Sequence, residues 1–356
     1  MRKIFWLVLL ILLIVSILYF RQGGQYQSLL RQVVDRSDEK GALFIVEKGW
    51  DVSKIAQKLI KQNLIVSAET FENYVKTENW ENKLQAGRFW LKRSFTIPEI
   101  AAVIAGKKSV TINLTIPEGF TIKQIDALLT KKDLITAGDF ERSAREYPLA
   151  SLEELLSKGF NPVGVESNFT SPLTKGGLRG VLEGFLFPDT YSVDPANFSA
   201  ENLIDRMLRE FDRKFTAKMR EDLRASGRTL LETVIMASLI EEETRTNTER
   251  PIVAGILWKR LDSRWFLGVD ATLRYFKDDW EKPLTQADLL DDNPYNTRKR
   301  LGLPPTAIAS PGLASLKAAV YPQATGYWYY LHDKNGQIHY AATEAEHIRN
   351  KNLYLR

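Results

Sequence analysis

The sequence predicts an α+β protein with a single N-terminal transmembrane helix, a β-α repeat module and a mainly helical domain that ends in a β-hairpin. Three observations predict this class. An uncharged apolar run covers residues 4–20, one strand–turn–helix pattern occurs twice between residues 44 and 140, and segments after residue 199 carry apolar residues at helical spacing. The chain has 356 residues, 44% of them hydrophobic and 26% charged. It is therefore long enough for about two globular domains.

The composition excludes several kinds of active site. The chain has no cysteine, so thiol nucleophiles, cysteine-ligated metals and disulfides are excluded. Its three histidines, His332, His339 and His347, all lie in a predicted hairpin and tail, which argues against a histidine-based triad or metal site. The net charge of +5 comes from 49 basic and 44 acidic residues and gives no electrostatic case for nucleic acid binding. No metal or cofactor is expected, and carboxylate chemistry remains.

The first apolar run is predicted to anchor the chain in the cytoplasmic membrane. Seventeen residues, 4–20, can just cross a hydrocarbon core of about 30 Å as a helix. Arg2 and Lys3 precede the run, so the positive-inside rule places the N-terminus in the cytoplasm and the later domains outside. A cleavable signal peptide is the alternative, although no small-residue cleavage site follows the run. Residues 1–21 are assigned to the anchor and its flanks, and residues 22–40 to a polar stalk.

An internal repeat organises residues 41–140. The segment from Phe44 aligns with the segment from Leu114, and each copy has a short strand, a glycine followed by an aromatic residue, and an amphipathic helix. Ser53 and Thr121 are the predicted helix caps. The module is either a spacer or a small glycan-binding domain. In the second case exposed aromatic side chains would stack on sugar rings, and the candidates are Trp50, Phe89, Trp90 and Phe120.

Three consecutive acids, residues 241–243, follow an apolar segment that is predicted to be a central helix. Thr229 and Glu232 form a capping box, so the helix should begin near residue 230. At about 100° per residue, Glu241 and Glu243 point roughly 160° apart and cannot both face one site. A carboxyl at a buried position has a raised pKa, which suits a general acid at neutral pH. The alternative is that all three acids lie in solvent beyond the buried part of the helix.

Seven blocks occur in order in the second half of the chain: LEGFLFPDTY (182–191), ASLIEEET (237–244), ERPIVAGILWKRL (249–261), LGVDATLRY (267–275), PYNTR (294–298), GLPPTAIASPG (302–312) and SLKAA (315–319). With the anchor and the repeat, the chain resembles the YceG-like membrane-anchored endolytic murein transglycosylases. The resemblance implies a LysM-like module over residues 41–140 and a catalytic domain over residues 141–356, with an inserted loop at residues 161–180. It also implies cleavage of the MurNAc–GlcNAc β-1,4 bond within glycan strands, leaving a 1,6-anhydromuramoyl end.

The resemblance also indicates site residues. Other groups of lytic transglycosylases place their catalytic acid directly before Ser or Thr at the end of a buried helix, a pattern that Glu243 matches and Glu241 does not. The substrate-binding candidates are Thr244, Asp270, Thr272, Tyr295, Asn296 and Thr297. For the loop residues the alternative is that they only form turns and pack. Gly268 and Ala271 stand where the family commonly has Gln and Pro, which weakens the case for a sugar contact from that loop.

The expected function is that of an endolytic lytic transglycosylase with one essential acid. Glu243 would first protonate the glycosidic oxygen and then accept the proton of the attacking C6 hydroxyl. The expected partners are peptidoglycan glycan strands, the cytoplasmic membrane and peptidoglycan synthases. Two alternatives stay open: a non-catalytic, membrane-tethered peptidoglycan-binding scaffold, and a muramidase that shares the acid but uses water.

Overall fold

The computed structural model describes residues 23–148 and 182–355, which form a mixed α+β protein that is mostly helical. The predicted anchor at residues 4–20 and the predicted insertion at residues 161–180 lie outside the described residues. Among the helices that are described, none combines the length and the apolar character needed to cross a bilayer.

The described elements are short strands and helices of about one to four turns. The strands are β1 (Ala42–Val46), β2 (Gly87–Leu91), β3 (Ile112–Thr115), β4 (Thr190–Val193), β5 (Tyr329–His332) and β6 (Ile338–Ala341). The helices are α1 (Val52–Lys61), α2 (Ala68–Thr77), α3 (Ile97–Ile104), α4 (Ile122–Lys131), α5 (Asp139–Glu146), α6 (Ala200–Lys214), α7 (Ala217–Ala225), α8 (Leu230–Glu243), α9 (Arg250–Asp262), α10 (Asp270–Lys277), α11 (Gln286–Leu290), α12 (Leu313–Val320) and α13 (Glu344–Tyr354). Each strand pairs with one other, as β1–β2, β3–β4 and β5–β6.

The chain divides into two compact units. The first unit comprises Met1–Leu114 and Ser192–Phe198, and the second comprises Thr115–Tyr191 and Ser199–Arg356. Most of the second copy of the repeat belongs to the second unit. The domain boundary predicted at residue 140 stays a prediction.

The first unit is built on the first copy of the repeat. β1 and β2 are antiparallel, with Phe44 opposite Phe89. The chain turns at Gly49 with a φ of +88°, a conformation that glycine adopts without strain. Asp51 caps α1 by accepting a backbone hydrogen bond at 2.7 Å. The prediction that Ser53 is the cap was wrong, since the helix begins one residue before it.

Residues that were predicted as stalk belong in part to the first unit. Residues 23–31 are helical, and Leu30 is only 8% exposed within the core of this unit. The backbone N–H groups of Val34 and Asp35 both donate to the carbonyl oxygen of Arg93 at 3.1 Å. This segment is therefore attached to the folded unit by packing and by hydrogen bonds.

The aromatic residues of the first unit do not offer the surface that was predicted. Trp90 is 6% exposed, and its indole N–H donates to the carbonyl oxygen of Lys40 at 2.9 Å. Trp50 and Phe89 are half-buried and pack against the core. The prediction that Trp90 is an exposed sugar-stacking residue was wrong, because its side chain is buried and hydrogen-bonded to the backbone of Lys40.

The second copy of the repeat has the same order of elements, and its turn and helix belong to the second unit. β3 leads to a turn at Gly119, where φ is +80°, and Thr121 caps α4 as predicted, in a capping box with Gln124. The buried Asp126 then accepts hydrogen bonds from the N–H groups of Gly138 and Phe140, which lie at the start of α5. This carboxylate fixes α5 against α4.

Helix α8 is the central helix of the second unit. It starts with the predicted capping box of Thr229 and Glu232, and every residue from 233 to 240 is buried. It packs against α9 and α12. The helix ends at Glu243, with Thr244 as its C-cap. The three acids are thus the last residues of a buried helix rather than a solvated tail.

The C-terminal hairpin confirms the prediction made for residues 326–342. β5 and β6 are antiparallel, with Tyr330 opposite Tyr340, and the turn contains Gly336 with a φ of +83°. The hairpin brings a strand of aromatic residues to the end of α8.

Candidate active site

The candidate acid Glu243 is half-buried at the end of α8. The Tyr330 hydroxyl, from β5, donates a hydrogen bond to Glu243 Oε2 at 2.8 Å. Burial raises the pKa of Glu243, and the hydrogen bond from Tyr330 acts in the opposite direction. A raised pKa keeps more of the carboxyl protonated near neutral pH, which a proton donor requires. The environment of Glu243 therefore fits a general acid.

Arg260 of α9 holds the strand that carries Tyr330. Its Nε and Nη2 donate to the carbonyl oxygen of Trp328 at 2.9 and 2.6 Å, and its Nη1 donates to the carbonyl oxygen of Leu267. The guanidinium also opposes the effect of burial on the pKa of Glu243. One arginine thus links the acid, the hairpin and the loop before α10.

An exposed ion pair lies beside the acid. Asp270 is the first residue of α10, and its Oδ1 accepts a hydrogen bond from Arg298 Nε at 2.6 Å. The side chains of Arg298 and Asp270 are 42% and 47% exposed. After burial, the Asp270 charge is a further cause of the raised pKa of Glu243. This pair places charged donors and acceptors where sugar hydroxyls could reach them.

Glu241 points to another part of the second unit. Its Oε1 accepts a hydrogen bond from Arg250 Nη2 at 2.8 Å, and its Oε2 accepts one from the Gly312 N–H at 2.9 Å. The side chains of Arg250 and Glu241 are only 10% and 7% exposed. Glu241 and Glu243 therefore point in different directions, as helix geometry predicts. Glu241 and Arg250 form a buried ion pair that links α8 to α9.

The middle acid, Glu242, lies against the turn of the second repeat copy. A Cβ placed on Gly119 would lie 3.0 Å from Glu242 Oε1, so glycine permits this close approach. Burial, followed by the charges of Glu241 and Glu243, raises the pKa of Glu242 to about 7. A raised pKa is therefore not unique to Glu243. What sets Glu243 apart is the bond from Tyr330 and the nearby Asp270.

Three of the predicted substrate-binding residues are almost completely buried. Thr272, Asn296 and Thr297 are 0%, 0% and 2% exposed. The hydroxyls of Thr272 and Thr297 donate to the carbonyl oxygen of Val269 at 2.8 and 3.3 Å. The Asn296 amide donates to two backbone carbonyls of the segment 289–291. These contacts hold the 296–298 loop beside α10, which favours the structural alternative for the three residues.

Two of the other three predicted binding residues, Thr244 and Tyr295, also have partners within the unit. Thr244 is 8% exposed, and its hydroxyl donates to the carbonyl oxygen of Ile240 at 2.6 Å. Tyr295 is half-buried, and its hydroxyl shares a hydrogen bond of 2.8 Å with Thr306. A sugar contact by Asp270 or Tyr295, which keep accessible surface, stays a prediction. In the part of the chain that the structure covers, no group of His, Asp or Glu is arranged to hold a metal ion.

Comparison with known proteins decides the family. The profile of the YceG-like family matches residues 44–353, which is most of the chain. The chain belongs to the YceG-like family. A YceG-like protein of Listeria monocytogenes has a crystal structure at 2.6 Å that matches this fold with a TM-score of 0.58 and 28% identity, covering 87% of this chain and 99% of that one.

Curated relatives of this YceG-like protein include two named endolytic murein transglycosylase. The Bacillus subtilis relative is 28% identical over 337 residues, which are 93% of this chain and 89% of the relative. The Streptococcus pneumoniae relative is 28% identical over 334 residues, which are 89% of this chain but 59% of the relative. The chain is therefore similar to nearly the whole of the first relative and to little more than half the length of the second.

Sequence reasoning missed three residues of this YceG-like site. Arg260 and Arg298 lie inside the sequence blocks that carry the resemblance, but their pattern gave no reason to pair them with the acid. Tyr330 lies in the hairpin, which was interpreted as purely structural. The sequence indicates only weakly that Tyr330 contacts the acid. Alternate residues of a strand share one face, but the sequence does not say which element that face contacts.

Proposed function

We propose that this protein is an endolytic murein transglycosylase that cleaves MurNAc–GlcNAc β-1,4 bonds within glycan strands. The observation that carries the proposal is the half-buried Glu243, which has a raised pKa, a hydrogen bond from Tyr330, and the exposed Asp270–Arg298 pair beside it. Family membership supports it, because the relatives that match most of the chain are named for this activity.

The proposed chemistry needs one carboxyl in two protonation states. Protonated Glu243 donates its proton to the glycosidic oxygen as the bond to the anomeric carbon breaks. The resulting carboxylate accepts the proton of the MurNAc C6 hydroxyl, whose oxygen bonds to the same anomeric carbon. No water is consumed, and the product is a 1,6-anhydro end. Tyr330 acts as a positioning residue that holds the carboxyl during both transfers.

The acid is tested by comparing Glu243→Gln with Glu242→Gln. The amide of Glu243→Gln has nearly the same size but cannot carry the proton, so we expect cleavage of purified glycan strands to fall by at least about a hundredfold. Glu242→Gln is the matched control on the same helix turn, and its activity should stay within a few-fold of the unchanged protein. Both variants should keep the melting temperature, with a slight rise for Glu243→Gln because an active-site carboxylate in a buried site costs stability.

Activity that persists in Glu243→Gln and disappears in Glu242→Gln would show that Glu242, not Glu243, is the catalytic acid. Activity that persists in both variants would contradict the single-acid mechanism. Loss of binding to glycan strands together with loss of cleavage in Glu243→Gln would indicate a structural defect, so strand binding is measured in parallel.

We further propose that residues 4–20 anchor the protein in the cytoplasmic membrane, with the catalytic domain on the outer side. The support is the apolar run and the basic residues before it. Protease added to spheroplasts should degrade the C-terminal part of the chain while the membrane stays sealed. A C-terminal part that resists protease until the membrane is permeabilised contradicts this topology.

A further inference from the structure

The loop between α9 and α10 exposes two neighbouring aromatic side chains. Trp265 and Phe266 are each 40% exposed, while Leu267, the next residue, is fully buried. Large aromatic side chains usually bury most of their surface, and adjacent exposed ones often mark a binding site. This pair is therefore a candidate binding surface.

One of the two residues, Trp265, is part of a cluster of aromatic rings. The Trp265 ring lies 4.7 Å from the ring of Trp328 at an angle of 34°, and meets the ring of Tyr329 edge-on at 5.8 Å. The loop is fixed at its far end, where the Gly268 N–H donates to the carbonyl oxygen of Thr297 at 3.0 Å. We name Trp265, Phe266 and Trp328 the aromatic platform. A preformed surface of this kind loses little conformational entropy when it binds a ligand.

The aromatic platform is continuous with the candidate active site. Arg260 donates two hydrogen bonds to the Trp328 carbonyl oxygen and lies close enough to Glu243 to affect its pKa. Trp328 directly precedes β5, and Tyr330 lies two residues further along the same segment. The Tyr330 hydroxyl is bonded to Glu243. A platform residue and the residue that holds the acid thus lie two positions apart on one segment of the chain.

We propose that the aromatic platform is a glycan subsite, which stacks on a sugar ring of the same strand that Glu243 cleaves but away from the cleaved bond. This inference rests on the proposed function. A pyranose ring presents a face of C–H groups, whose partial positive charge is attracted to the negative face of an aromatic ring. A polymeric substrate extends beyond its reacting bond, and contacts to its remote sugars supply binding energy. A surface that begins two residues from the acid's hydrogen-bond partner is suited to make such contacts.

The subsite is tested by strand binding, independently of turnover. In the Glu243→Gln protein, Trp265→Ala and Phe266→Ala are each introduced, and binding of purified, peptide-free glycan strands is measured by calorimetry. We expect each to weaken binding by roughly fivefold, since an aromatic stacking contact contributes about 1 kcal/mol. Trp265→Phe should keep most of the affinity. Tyr321→Ala, which removes another exposed aromatic of the second unit that is bonded to Asp222, should not change it.

In the active protein, Trp265→Ala and Phe266→Ala should raise KM for glycan strands and leave kcat within a few-fold. Phe266→Ala serves if Trp265→Ala fails to fold, because no described aromatic ring packs on Phe266. Unchanged strand binding in both variants overturns the proposal. If these variants also float less with phosphatidylglycerol vesicles, the aromatic platform binds the membrane instead. Cleavage that persists in Glu243→Gln would refute the proposed acid alone and leave the binding result to be judged separately.

Discussion

Tyr330 separates the roles of the three consecutive acids at the end of α8. Glu242 and Glu243 both have a raised pKa, but Glu243 is the one that receives the tyrosine hydroxyl and lies near Asp270. Glu241 instead forms a buried ion pair with Arg250. Helix geometry alone could predict that Glu241 and Glu243 diverge, because their angle depends only on sequence spacing. It could not predict Tyr330, which is 87 residues away in the chain.

Glu183 is a buried acid that the proposed mechanism does not use. It is 4% exposed, and it accepts hydrogen bonds at 3.1 Å from the Ile122 N–H and from the Tyr275 hydroxyl. Burial raises the pKa of Glu183 to about 8, more than these hydrogen bonds lower it. The side chain is therefore mostly protonated at neutral pH and links the start of α4 to α10.

We expect Glu183→Gln to change how stability depends on pH. In the native protein the pKa of Glu183 is raised to about 8, whereas the unfolded chain should have the usual value of about 4.3. Between these values the native state holds a proton that the unfolded state has lost, so stability falls as pH rises, by up to about 1.4 kcal/mol per pH unit. The glutamine removes this loss. Chemical denaturation should show the variant gaining on the unchanged protein from about pH 5 to about pH 8.

Below about pH 4 the two proteins should differ by a constant amount, because Glu183 is then protonated in both the native and the unfolded chain. A difference in the free energy of unfolding that stays constant from low to high pH would show that Glu183 does not titrate with a raised pKa.

At the level of elements, features that depend on neighbouring residues were predicted correctly, whereas the exposure of aromatic side chains was not. The cap of α4 and the capping box of α8 were predicted correctly, because a cap depends on residues within one turn. The C-terminal hairpin was predicted for the same reason. Trp90 was placed on the surface, yet its indole bonds to Lys40, some 50 residues earlier in the chain. Sequence spacing could not show which aromatic ring the fold would cover.

In the second copy of the repeat, too, local structure was predictable but the contacts with other elements were not. Its strand, glycine turn and capped helix were predictable, because these follow from local patterns. Its turn lies against the acids of α8, where a Cβ on Gly119 would approach Glu242 to 3.0 Å and Glu118 reaches the N-terminus of α12 at Gly312. The pKa of Glu118 is raised by burial and by the charge of Glu241. An element predicted as part of a spacer or binding module therefore borders the candidate active site.

For the whole molecule, the sequence blocks indicated the family and the order of the elements, and the comparisons confirm the family. The sequence blocks indicated the residues of the site less completely. Of the six predicted substrate-binding residues, Thr272, Asn296 and Thr297 are buried in loop-forming contacts. Residues of a binding loop and residues that hold its shape recur together in a family motif, so the motif alone cannot separate them. Exposure and hydrogen bonding separate them once the fold is known.

The central claim is that Glu243 cleaves glycan within strands by using an internal hydroxyl, and the masses of the products test it most directly. Long, purified glycan strands are digested with the unchanged protein, and the fragments are weighed and sized. We expect internal fragments that end in 1,6-anhydroMurNAc and are lighter by one water than the products of hydrolysis. Reducing MurNAc ends as the main product would show that water is the nucleophile, with Asp270, whose charge acts on Glu243, a candidate for its base. Release of terminal disaccharides alone, or no cleavage with intact strand binding, would equally contradict the account.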